Sequence, residues 1–185
     1  VPVPGVMNAS CPSEIAPLTN DRSTLDDQID AMVATGDTYI PGGLIWGWRL
    51  LSKEAPYSEA TGYDQRVQGH NQRNTGIEVE ARPSGQNVRK LLVLMSDGKN
   101  TLSPVYPAHT GNDAALADEL TLEACSNIKA KGILIYSVAF QVDDESARTV
   151  LQKCASGPSK YFDADDEHQL NISFQEIARD FSPLR

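Results

Sequence analysis

The chain has 185 residues, with 16 Lys and Arg against 25 Asp and Glu, for a formal net charge of −9. That length suits one domain, and a 40% apolar share is enough for a packed core. The negative field repels a polyanion, so nucleic acid is excluded as the expected partner. The longest apolar run, near residues 133–140, is too short to span a bilayer.

The opening Val1-Pro2-Val3-Pro4-Gly5 has no basic start and no apolar stretch, so no secretory signal is read there. The first residue is not Met, which is compatible with a cut start. Pro2, Pro4, Pro12 and Pro17 make residues 1–21 an irregular, extended lead-in. A helix follows, with Ser23 or Thr24 as its cap and Asp26 and Asp27 in the first turn, where the helix dipole favours carboxylates. Leu25, Ile29, Met32 and Val33 share one face, and Gly36 is the expected stop.

A second helix carries the stripe Leu44, Ile45, Trp48 and Leu51. Residues 53–88 are polar and glycine-containing, and read as a long surface insertion with a short hairpin around 77–81. Lys90–Met95 is apolar on both faces, as a central strand of a covered parallel sheet is. It ends in Ser96-Asp97-Gly98, where the glycine is expected to allow the turn. Leu116, Leu120, Ala124 and Ile128 define the next helix, and Gly132 stops it. Ile133–Phe140 is a second buried strand, Ser146–Lys153 a short helix and Tyr161-Phe162 a brief third strand. The last helix shows Leu170, Phe174, Ile177 and Phe181. This alternation predicts an α/β fold, an open and mainly parallel sheet with helices on both faces and right-handed crossovers.

In such sheets ligands gather at the carboxyl ends of the strands, which makes Asp97 a candidate site residue. The bland reading is an Asp that caps a turn. Thr38 precedes the second helix. Its hydroxyl can ligate a hard cation such as Mg²⁺, which takes oxygen donors, or can serve as an N-cap. The cluster 163–168 reads as a solvated loop and helix start. His70, His109 and His168 form no ligand-spaced pair. No nucleophile elbow, phosphate-binding glycine loop or Cys-x-x-Cys occurs.

Of three cysteines, Cys125 lies late in one helix and Cys154 just after the next. With a parallel strand between those helices, both can lie on one side of it, and a Cys125–Cys154 disulfide is expected. The alternative is buried thiols. Cys11 is left over. A bridge implies an oxidising compartment.

The order Gly36-Asp37-Thr38-Tyr39-Ile40-Pro41-Gly42-Gly43-Leu44, then Leu94-Met95-Ser96-Asp97-Gly98, resembles the second half of a von Willebrand factor type A domain. With Ile45-Trp46-Gly47-Trp48-Arg49-Leu50-Leu51-Ser52, Ile128–Ile133, Tyr136–Phe140, Cys154-Ala155-Ser156, Tyr161-Phe162 and Leu184-Arg185, it resembles the C-terminal region of TadG-like proteins of the Flp (Tad) pilus assembly system. The resemblance implies a von Willebrand factor A-like domain over 22–185, Rossmann-like in layout, whose first strands would lie upstream of Val1. It also implies a metal-ion-dependent adhesion site. Thr38 and Asp97 match its second and third parts. The first part, Asp-x-Ser-x-Ser after a strand, has no match: Asp21-Arg22-Ser23-Thr24-Leu25 reads as a cap instead.

The implied function is a non-enzymatic adhesion or interaction module, periplasmic or at the cell surface. It would hold Mg²⁺ or a similar divalent cation and bind an acidic side chain of a protein partner among pilus or envelope components. Membrane attachment would come only through an anchor outside this chain. Two alternatives stand beside it: a structural module with a degenerate metal site, and a hydrolase-type α/β enzyme using Asp97.

Overall fold

A computed structural model describes residues 13–34, 36–52, 56–57, 60, 89–102 and 113–181. Most of the 53–88 insertion, the hairpin at 77–81, His70, His109 and Cys11 lie outside the described residues.

The described elements are α1 (Arg22–Asp30), α2 (Ile40–Leu51), β1 (Leu91–Ser96), α3 (Ala114–Ala130), β2 (Leu134–Phe140), α4 (Glu145–Cys154), a single 3₁₀ turn (Pro158–Lys160), β3 (Tyr161–Ala164) and α5 (Glu167–Phe181). The three strands form one parallel sheet in the order β1-β2-β3, with Leu91 opposite Leu134 and Ser137 opposite Tyr161. The expected α/β fold with a parallel sheet is present.

Alternation along the strands produces the layers. Leu92 and Leu94 of β1, Ile135 and Ala139 of β2 and Tyr161 of β3 face α2, α3 and α4. Val93, Leu134, Tyr136, Val138 and Phe162 face α5, through Leu170, Ile177 and Phe181. A strand apolar on both faces therefore buries both, as β2 does from Ile135 to Ala139. Helix α2 sits close on the sheet because Gly47 has no side chain: a Cβ there would lie 2.9 Å from Leu92 Cδ1. Gly132 ends α3 as expected. Its φ of 74° is in the left-handed region, and the Ile133 N–H reaches back to the Ile128 carbonyl at 3.3 Å.

Four sequence-based expectations are corrected. The α3 stripe is rotated: Leu116 is exposed, whereas Ala117, Thr121, Ala124, Cys125 and Ile128 are buried. A strict interval of four drifts around a helix with 3.6 residues per turn. In α5, Phe174 lies at the exposed edge of its stripe, and Ser173 and Ile177 hold the buried line. Ile45 of α2 is also exposed, while Trp48 and Leu51 pack against the core. Helix α1 ends at Asp30, ahead of the expected stop at Gly36, so Met32 and Val33 lie beyond it, and its cap is Asp21 rather than Ser23 or Thr24. The Asp21 carboxylate accepts from the Ser23 N–H at 3.1 Å and the Thr24 hydroxyl at 2.7 Å. No residue of α1 is buried.

The expected disulfide is formed. Cys125 and Cys154 are bridged with their Cα atoms 5.3 Å apart. The bridge joins α3 to α4 across one face of β2, inside the core.

Candidate functional site

The carboxyl ends of the strands form a rim that collects three loops. After β1 come Asp97 and residues 98–102, and after β2 come Gln141–Asp144. The loop 36–39, which leads into α2, joins the first of these by direct bonds. The Thr38 N–H donates to Thr101 Oγ1 at 2.8 Å. The N–H groups of Thr101 and Leu102 both donate to the Thr38 carbonyl, at 2.9 and 3.2 Å. The Thr101 hydroxyl in turn donates to Asp37 Oδ1 at 3.2 Å. Thr38 is thus stitched to the fourth residue beyond Asp97.

Thr38 is half-buried and Asp97 exposed. Among the described residues, neither the Thr38 hydroxyl nor the Asp97 carboxylate is engaged in a hydrogen bond or ion pair. Asp143, in the loop after β2, is likewise exposed and uncommitted among the described residues, whereas the remaining rim carboxylates are engaged. Asp144 caps α4 through the N–H groups of Ser146 and Ala147 and the Ser146 hydroxyl, and pairs with Lys99 at 3.2 Å. These contacts, the Ser146 hydroxyl first, pull its pKa down from 3.8 to about 2. Asp163 and Asp165 face the Arg148 guanidinium at 3.7 and 3.9 Å. Asp166 caps α5 by accepting from the Gln169 N–H at 2.8 Å. Asp163 and Ala164 are the end of β3, which corrects the loop reading there, and the run continues as a loop and the start of α5.

The turn after β1 is built by Ser96, whose hydroxyl donates to the Gly98 carbonyl at 2.9 Å. Gly98 has no positive φ, and a Cβ there would meet nothing, so the expectation that this turn needs glycine is corrected. The left-handed residues of the rim are Gly36, with φ 84°, and, without being a glycine, Gln141, with φ 53°. Its N–H donates to the Ala164 carbonyl at 2.9 Å and fixes the end of β2 against β3. A non-glycine residue in that region is uncommon and costs energy.

Asn100 is the rim residue that the sequence reading missed. It is 1% exposed. Helix α2 has no side-chain cap of its own, and Asn100 Oδ1 accepts from the Ile40 N–H at 2.8 Å in its place. Its Nδ2 donates to Asp118 Oδ1 at 2.8 Å and Thr121 Oγ1 at 3.3 Å, both on α3. No local pattern signals a cap supplied from 60 residues away.

A hydroxyl and a carboxylate are donors of the class a hard divalent cation takes. They do not complete an octahedron. Among the described residues no group of three or more His, Cys, Asp or Glu is placed to hold a metal ion. A cation on Thr38 and Asp97 would keep several waters or take oxygens from elsewhere, which suits Mg²⁺, an ion slow to shed its water.

No protein-family model matches the chain, and no curated protein matches it. Among solved structures it is similar to proximal thread matrix protein 1 from the mussel byssus, at 14% identity and a TM-score of 0.47. The match covers 85% of this chain and 28% of that one, so the chain spans less than a third of that protein's length. Among the described residues, no helix is long and apolar enough to cross a membrane.

Proposed function

We propose that this chain is the C-terminal part of a von Willebrand factor A-like domain, of the kind found in TadG-like proteins, and works as a non-enzymatic interaction module of the bacterial envelope. In this reading Thr38 and Asp97 hold a divalent cation such as Mg²⁺, and an acidic side chain of a pilus or envelope partner fills an open position on it. One observation carries the reading. Backbone bonds hold the Thr38 loop to residues 101–102, while the Thr38 hydroxyl and Asp97 carboxylate stay uncommitted among the described residues. The Cys125–Cys154 bridge fits the periplasmic or cell-surface location this role needs.

The test is calorimetric titration of the chain with MgCl₂. Asp97→Ala is expected to weaken binding about tenfold, the scale of one lost charged ligand (~1.4 kcal/mol), with its melting curve unchanged. Equal affinity in the variant removes Asp97 from the site. The shortage of clustered ligands among the described residues favours a second reading, a structural module with a degenerate site. Metal analysis of the purified chain separates the two.

A further inference from the structure

We propose that Asn100 is the positioning residue of the rim, an amide that sets where the Thr38 loop stands relative to the end of β1. The inference rests on the cation reading for its consequence, but its geometry stands alone. The side chain is buried and lies between three elements. Its oxygen accepts from the first N–H of α2, and its nitrogen donates to Asp118 and Thr121 of α3. One residue further, Thr101 binds the Thr38 backbone from both directions. The pair Asn100-Thr101 therefore locks the loop on both sides of Tyr39.

The network admits an amide and little else. The Thr121 hydroxyl donates its only proton to the Ala117 carbonyl at 2.8 Å, so it can only accept from residue 100. Asp118 presents a carboxylate oxygen, which also accepts. The Ile40 N–H needs an acceptor. Residue 100 must thus accept on one side and donate twice on the other. An aspartate has the same shape and keeps the first bond. It loses both donated bonds and sets a carboxylate against that of Asp118, inside a buried site where an unmet polar group is costly.

The variants Asn100→Asp and Asn100→Asp/Asp118→Asn test this in the full chain. The second carbon copy of the pair reverses the donor and acceptor between positions 100 and 118. Two readouts are used: calorimetric titration with MgCl₂, and amide hydrogen exchange. Asn100→Asp is expected to weaken Mg²⁺ binding at least tenfold. It is also expected to speed exchange at Ile40, Thr101 and Leu102 at least tenfold more than at Ile135 and Val138 in the sheet. The double variant is expected to recover most of both effects. If the wild type binds Mg²⁺ and Asn100→Asp binds it equally, the positioning role is overturned and the cation reading survives. If the wild type binds none, the cation reading fails, and exchange decides the positioning role alone. Uniform or unchanged exchange in the variant overturns it. Should Asn100→Asp not fold, the double variant is compared with wild type; rim exchange that stays faster than sheet exchange by tenfold then overturns the complementarity on which the proposal depends.

Discussion

Two regions of the molecule differ sharply. Around β2 and β3 the chain is sealed: Ile135, Val138, Ala139, Leu151 and Cys154 are all inaccessible to solvent, with α3 and α4 on one face and α5 on the other. Elsewhere, at Met95 of β1 and along α1 and the residues after it, apolar side chains lie open. Met95 is 42% exposed, and Ile29, Met32 and Val33 at the α1 end are 60%, 66% and 71% exposed. Among the described residues β1 pairs with β2 alone and carries no strand on its other edge. Helix α1 carries two apolar side chains, Leu25 and Ile29, neither buried, whereas α4 buries a stripe of four, Ala147, Val150, Leu151 and Cys154. Burial of such a stripe, more than propensity, supplies most helix stability in proteins.

The widest contrast comes from trimming one isoleucine in each region. Ile135→Ala empties a fully buried site and is expected to cost about 4 kcal/mol. Ile29→Ala removes an exposed side chain and is expected to stay within about 0.5 kcal/mol. Both are read by chemical denaturation. Equal losses would mean that α1 is buried in solution and would break the comparison.

The disulfide sharpens it next. Cys125 and Cys154 are 29 residues apart. On the chain-entropy argument, replacing both by Ala costs about 3.5 kcal/mol. Thermal melting of the double variant should show the loss, and addition of a reductant should then change nothing further.

The smallest effect concerns pH. The Asp144 carboxylate is held at about 2 instead of 3.8, chiefly by the Ser146 hydroxyl, then by the Ala147 N–H and Lys99. Its folded pKa is depressed, so its contribution is present above 3.8 and is lost as pH falls toward about 2. Asp144→Asn should therefore show a shallower fall in stability over that interval than the wild type, as followed by acid titration with circular dichroism. Parallel curves would locate the acid sensitivity elsewhere.

The strands were legible because burial on both faces leaves an uninterrupted apolar run. Lys90–Met95 and Ile133–Phe140 were each read within one residue of the observed β1 and β2. The disulfide followed from that topology. Helix faces were less legible: the 3.6-residue turn carries Leu116 out of a stripe read at intervals of four, and Phe174 sits at the exposed edge of its stripe. At the rim, Thr38 and Asp97 were visible as residue types in suggestive places. Asn100, Thr101 and Lys90 were not, because each acts on a distant backbone. Lys90 lies nearly buried with its Nζ on the Leu51 carbonyl at 2.6 Å, closing the end of α2 onto the start of β1. Such bonds span 39 to 63 positions and leave no local pattern.

The bridge between α3 and α4 also has a mechanical consequence. A chain pulled from its two ends can peel away α5 and β3, which lie C-terminal to Cys154. The 28 positions between the bridged cysteines (a separation of 29, less one), which include all of β2, cannot be drawn out while the bond holds. At roughly 3.4 Å per residue, about 100 Å of slack stays locked in the molecule under load, and reducing the bond releases it.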